Sequence, residues 1–136
     1  MTFLHDPSLP VFDESIQAWL ELGGVYANPN LRGGGEFGRA WYEAATLERK
    51  QHSFDDFIAA AEWLIRERWT SPSRLAIRGS SNGRLLVTGT IAQRPDLFAV
   101  AVAHVPQTDG LRFDRGRHFA QFGTPSNPAQ FPFLYA

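Results

Sequence analysis

The sequence contains no cysteine, which excludes disulfides, thiolate nucleophiles and thiolate-bound metals but does not by itself fix a compartment. Neither sign of charge is in excess. With 13 basic and 14 acidic residues and a formal net charge of −1, nothing points to a nucleic acid or an anionic membrane as partner. No apolar run reaches the roughly 18 residues that span a bilayer, and the opening Met1-Thr-Phe-Leu-His-Asp-Pro7 has neither a basic nor an apolar leader region. The expectation is therefore a cytoplasmic protein without membrane contact. At 136 residues the chain is long enough for one core and about one domain.

Leu75-Ala-Ile-Arg-Gly-Ser-Ser-Asn-Gly83 reads as a short strand running into a glycine-flanked serine. Leu85, Leu86, Val87, Thr88, Ile91 and Ala92 then supply a helix. Strand, G-x-S-x-G and helix in that order form the layout of a nucleophile elbow. Gly79 and Gly83 avoid the Cβ clashes of so tight a turn, Ser81 would project its hydroxyl from the sheet's end, and the backbone N–H of Asn82 would sit where an oxyanion forms.

The remaining segments alternate. A helix entered near Asp13, with Ile16, Trp19 and Leu20 on one face, is closed by Gly23. Val25-Tyr-Ala27 is a short strand broken by Asn28-Pro-Asn30. A glycine-rich turn from Arg32 to Gly38 leads into a brief helix over residues 39–46. Ser53-Phe-Asp-Asp56 has the form of a capping box opening a long helix to about Arg68, with Phe57, Ile58, Ala61, Leu64 and Ile65 inward. Gln93-Arg-Pro-Asp96 ends the elbow helix, and Ala99-Val-Ala-Val-Ala103 is a strand of the kind buried on both faces. From Pro106 onward the composition predicts loops with one short helix. This alternation predicts an α/β fold, a mostly parallel sheet flanked by helices.

Gly33-Gly-Gly35-Glu-Phe-Gly38 also matches G-x-G-x-x-G, with Asp55 and Asp56 near the distance of a ribose-binding acid. The helix after it is short, however, and the acids open a helix instead of ending a strand. A turn at the sheet's edge is the competing reading, and no cofactor or metal is expected.

Five segments in order, Asn30-Leu-Arg-Gly-Gly-Gly-Glu-Phe-Gly38, Phe54-Asp-Asp-Phe57, Thr70-Ser-Pro-Ser-Arg-Leu75, Gly79-Ser-Ser-Asn-Gly83 and Arg94-Pro-Asp-Leu-Phe98, resemble the catalytic domain of the prolyl oligopeptidase family of serine peptidases. The resemblance implies an α/β-hydrolase fold, cleavage of short peptides after proline, Ser81 as nucleophile and the Asn82 N–H as oxyanion donor. It implies that residues 1–136 form an incomplete catalytic domain without the family's propeller. It places the general base and its orienting acid beyond the equivalent of Tyr135, and a second oxyanion donor, a tyrosine, before residue 3. A substrate-stacking tryptophan is expected between Asp109 and Gly123, where Phe119 is a weak stand-in, and Arg84 replaces a glycine.

Within the chain, His104 ends a strand and is expected as a satisfied, partly buried histidine. Asp109 and His118 give a superficially correct Ser, Asp, His order without matching the family's positions. Two functions stay open: a peptidase segment completed by Asp and His from elsewhere, acting on short peptides, and a non-catalytic remnant or interaction module that keeps the fold. The open sheet edge of such a segment favours self-association.

Overall fold

The computed structural model describes residues 13–80, 82–104 and 126–130. Helix α1 (Glu14–Glu21) begins where expected: extended Asp13 accepts the N–H groups of Ser15 and Ile16 on its carboxylate at 2.8 and 3.3 Å, satisfying donors the first turn leaves unpaired. At its far end Gly23, at φ +83°, donates to Leu20 and Gly24 donates to Trp19, the paired bonds of a Schellman motif. The expected strand Val25–Ala27 does not form. The described sheet has two strands, β1 (Ala76–Ser80) and β2 (Val100–His104), and neither pairs with that segment. Strand-favouring side chains need a neighbouring ladder before they make a strand.

Helix α2 (Arg39–Glu43), a 3-10 turn at Leu47–Arg49 and helix α3 (Gln51–Arg66) follow. The capping-box reading is overturned, because α3 starts at Gln51 and Ser53 lies inside its first turn, 4% exposed. Ser53 and Asp56 instead hold a distant loop, described below. Like α1, α3 ends in a Schellman motif, with Arg68 donating to Ile65 at 3.0 Å and Trp69 to Leu64 at 2.9 Å. Here the left-handed residue is Arg68, at φ +62°, where a Cβ crowds the backbone. Arg68→Gly is expected to raise stability by about 0.5–1 kcal/mol, seen as a higher midpoint in chemical denaturation.

β1 and β2 pair in parallel, Ala76 opposite Val100 through Ser80 opposite His104. They are linked by helix α4 (Asn82–Gln93) and a 3-10 turn at Pro95–Leu97. Arg94 fastens this crossover: Nε and Nη2 donate to Asp96 at 2.9 and 2.8 Å, and Nη1 donates to Glu62 of α3. Ala61, Ile77, Val87, Leu97 and Phe98 form the buried core, with Phe57, Ile58, Ile65, Leu75, Ile91 and Ala103 packed around it. Four of the five α3 positions expected inward are therefore in this cluster, and Leu64 stands outside it. Thr90, which no sequence signal marked, is fully buried on α4, and its hydroxyl finds no partner among the described residues.

Residues paired across a parallel ladder share a face. One face carries Ile77 and Gly79 with Ala101 and Ala103; Ile77 and Ala103 join the core with α3 and α4, while Ala101 is exposed. The other carries Ala76, Arg78, Ser80, Val100, Val102 and His104, all exposed. Val100 is 53% and Val102 40% accessible, so β2 is not buried on both faces as its composition predicts. Of the described elements, α1 reaches that side through Arg78, whose guanidinium donates to Ser15 and lies 3.5 Å from Asp13. The result is a small parallel sheet flanked by helices, an α/β arrangement.

Candidate active site

The end of β1 and the start of α4 touch backbone to backbone across position 81. A Cβ placed on Gly79 would lie 2.2 Å from the Gly83 carbonyl oxygen and 2.9 Å from Val87 Cγ2, closer than any real contact. Of the motif's two glycines, Gly79 is the one sterically required: a Cβ on Gly83 meets nothing within 4 Å among the described residues. The G-x-S-x-G pattern predicts that need at both positions, and the structure restricts it to Gly79. Ser81 itself lies outside the described residues. Asn82 is the first residue of α4, so its N–H is one of the donors an α-helix leaves unpaired at its N-terminus.

Two of the chain's histidines, His52 and His104, lie among the described residues. His104 stands opposite Ser80 in the ladder, one residue from position 81, and is exposed, which corrects the expectation of a partly buried side chain. His104 lies with Ser80 on the sheet face turned away from the core, where its side chain is uncovered. His52 is on α3 with Nδ1 2.7 Å from the Ala44 carbonyl oxygen. Asp109, His118 and Phe119 lie outside the described residues. Among those that are described, no cluster of three or more His, Cys, Asp and Glu side chains could hold a metal ion, and no helix is long and apolar enough to cross a membrane.

The loop over residues 30–38 is pinned from below by α3. Asp56 accepts the Arg32 backbone N–H at 3.0 Å and Nε at 2.8 Å, while Nη2 reaches its other oxygen. Ser53 donates to the Arg32 carbonyl at 2.8 Å, and Trp41 donates its indole N–H to Leu31 at 2.8 Å. Gly33, at φ +95°, donates to the Trp41 carbonyl, and a Cβ there would press within 3.0 Å of Ser53 Oγ and 3.2 Å of the Ala45 carbonyl. Glycine is therefore needed both for the dihedral and for the space. The loop follows no strand and precedes a five-residue helix, and Asp56 is committed to Arg32, so the dinucleotide reading loses its structural context. No local pattern marked this lock, since its partners lie 24 residues apart.

Hydrogen bonding from Arg32 holds the Asp56 carboxyl below its usual value of 3.8. A carboxylate whose folded pKa is depressed stabilises the fold above its unfolded pKa and loses that contribution as pH falls through the folded value. Stability is therefore expected to drop as pH goes below about 3.8, and Asp56→Asn is expected to flatten that part of the profile while lowering stability at neutral pH. Urea midpoints of both proteins between neutrality and pH 2.5 check this.

A strand in a parallel sheet, a glycine-tight junction and a helix that begins at Asn82 are parts of an α/β-hydrolase fold. The match to known proteins is more specific. Residues 10–132 match the model of the prolyl oligopeptidase family. The chain is 45% identical over 118 residues to a prolyl endopeptidase of Dictyostelium discoideum, covering 84% of this chain and 16% of that protein. Among solved structures, a prolyl endopeptidase superposes with a TM-score of 0.84 at 46% identity, covering 91% of this chain and 19% of that one. A post-proline cleaving enzyme from Rickettsia typhi gives a TM-score of 0.84 at 36% identity, covering 93% of this chain and 19% of that one. The chain belongs to the prolyl oligopeptidase family and spans less than a fifth of the length of these relatives.

Proposed function

We propose that this chain is the nucleophile-bearing portion of a serine oligopeptidase catalytic domain that cleaves short peptides after proline. In this reading Ser81 attacks the scissile carbonyl at an elbow between β1 and α4, and the Asn82 N–H stabilises the oxyanion. The observation that carries it is the backbone contact of Gly79 with Gly83, because a strand and a helix that close within five residues leave the residue between them at the tip of the turn. The resemblance implies a base and an acid beyond the equivalent of Tyr135, and in this reading the activity requires them from other sequence. No propeller is part of this portion, and the protein works in the cytoplasm.

A chimera tests the assignment. The matching segment of a prolyl endopeptidase relative is exchanged for residues 10–132, and cleavage of a proline-containing chromogenic peptide is followed. Post-proline cleavage is expected, falling by a factor on the order of a million on Ser81→Ala. A chimera that folds and cleaves equally well with Ala at position 81 overturns the role of Ser81. One that folds and never cleaves favours the second reading, a hydrolase-fold module without chemistry.

A further inference from the structure

We propose that Phe54 is a positioning residue for the peptidase reaction: seated against Gly89, its ring holds α4 on β1 and so fixes where the Asn82 N–H stands. The inference rests on the assignment of Ser81 and Asn82 made above. Helix α4 is in close contact on two sides. On one, the Gly83 carbonyl and Val87 press on Gly79 of β1, where an added Cβ would meet them at 2.2 and 2.9 Å. On the other, a Cβ on Gly89 would lie 2.5 Å from Cε1, 2.9 Å from Cζ and 3.2 Å from Cδ1 of Phe54. The phenyl ring therefore fills the place of the side chain that Gly89 lacks. Gly83 and Val87 are one turn apart, and Gly89 follows Val87 by two residues, about 200° round the helix, so the two contacts clamp α4 from opposing sides.

Phe54 is itself held in place. Its neighbours Ser53 and Asp56 are bonded to Arg32, and one turn along each helix Gln51 and Gln93 exchange side-chain amide hydrogen bonds at 2.8 and 3.3 Å. Within Phe54-Asp-Asp-Phe57, Asp56 thus serves the loop over residues 30–38 and Phe54 serves α4. The clamp leaves α4 little travel, since the β1 backbone lies on one side and an aromatic ring on the other. A smaller side chain at position 54 lets α4 withdraw from β1, and the N–H of its first residue, Asn82, moves with it. An oxyanion donor works within a window of about 2.7–3.1 Å. A slack helix therefore weakens the transition state while leaving substrate contacts made elsewhere intact, which lowers kcat and spares KM.

Two measurements test this. In the full chain, Phe54→Leu is expected to speed hydrogen exchange at the amides of Leu86 to Thr88 inside α4 by about tenfold, with helical circular dichroism unchanged; Phe54→Met serves if the leucine variant folds poorly. In the chimera described above, Phe54→Leu is expected to lower kcat by about tenfold with KM within about twofold of the parent. Gly89→Ala is expected to lower kcat in the Phe54 parent, where its methyl meets the ring, and to raise it in the Phe54→Leu background, where the methyl refills the gap. Unchanged exchange in a folded Phe54→Leu or Phe54→Met chain overturns the clamp. Faster exchange with unchanged kcat, or a kcat loss that Gly89→Ala deepens, overturns the positioning role. Failure of the Ser81 assignment is read separately, from Ser81→Ala in the parent chimera before Phe54 is changed.

Discussion

Mixed with a proline-containing chromogenic peptide, the purified 136-residue chain is expected to give no turnover above background and to take no covalent label from a fluorophosphonate probe. A serine hydroxyl is a poor nucleophile at neutral pH unless a base removes its proton and an acid orients that base. His52 sits against the Ala44 carbonyl, and His104 is exposed at the strand end, with no carboxylate partner among its described hydrogen bonds and ion pairs. Loss of the base with an oxyanion donor costs factors of about a million in rate. Adding the remaining strands of a relative's catalytic domain as a separate polypeptide is expected to restore both signals. Ser81-dependent turnover by the chain alone would refute this, and would direct a search for a local base to His118 first and His104 second.

The largest effect on stability is expected from Gly79→Ala. Its added methyl would stand 2.2 Å from the Gly83 carbonyl, and neither backbone can withdraw: β1 is laddered to β2 at this residue, and α4 is held by buried Val87 and Thr90. Relief therefore means prising strand from helix. A cost of about 3 kcal/mol follows from overpacking with backbone displacement, against the ~5 kcal/mol that small domains commonly hold, and the cooperative melt should be lost or moved far down. Gly83→Ala is the control, expected within about 0.5 kcal/mol of the parent because its Cβ enters open space. Equal losses in the two variants, measured by thermal or urea unfolding, would show that the junction tolerates a side chain at Gly79.

What the sequence made legible was whatever depends on neighbours along the chain. The period of Phe57, Ile58, Ala61 and Ile65 marked α3, and the strand, glycine and helix around Gly79 marked β1 and α4, because these signals are local and strong. What depends on distant partners was misread. Ser53 and Asp56 fit a capping box by spacing, yet the same donor and acceptor serve Arg32, 21 and 24 residues away, and nothing in a four-residue pattern separates the two uses. Val25-Tyr-Ala27 has strand composition but no described ladder to join. Val100 and Val102 show the same limit from the other side, since apolar composition reports the layers a strand is suited to meet and not which of them are present. The site was legible as a motif, Gly79 to Gly83, while the division of labour between its glycines depends on how closely the helix start approaches the strand end.

Two closures of equal length organise the folding of this chain. Arg32 meets Asp56 across 24 residues, and Ala76 meets Val100 across the same span, 100 − 76 = 24. Loop-closure entropy depends on length, so it does not favour either. The intervening chain does: 12 residues of α4 lie between the strands, whereas the five-residue α2 and a 3-10 turn are the main structure between Arg32 and α3. Local helix shortens the distance still to be searched and brings apolar surface to the meeting point, which gives the strand pair the kinetic advantage. Assembly is then expected to run against the order of synthesis, sheet first and loop second; folding rates of Val87→Ala and Ser53→Ala variants, reporting early and late contacts respectively, check it.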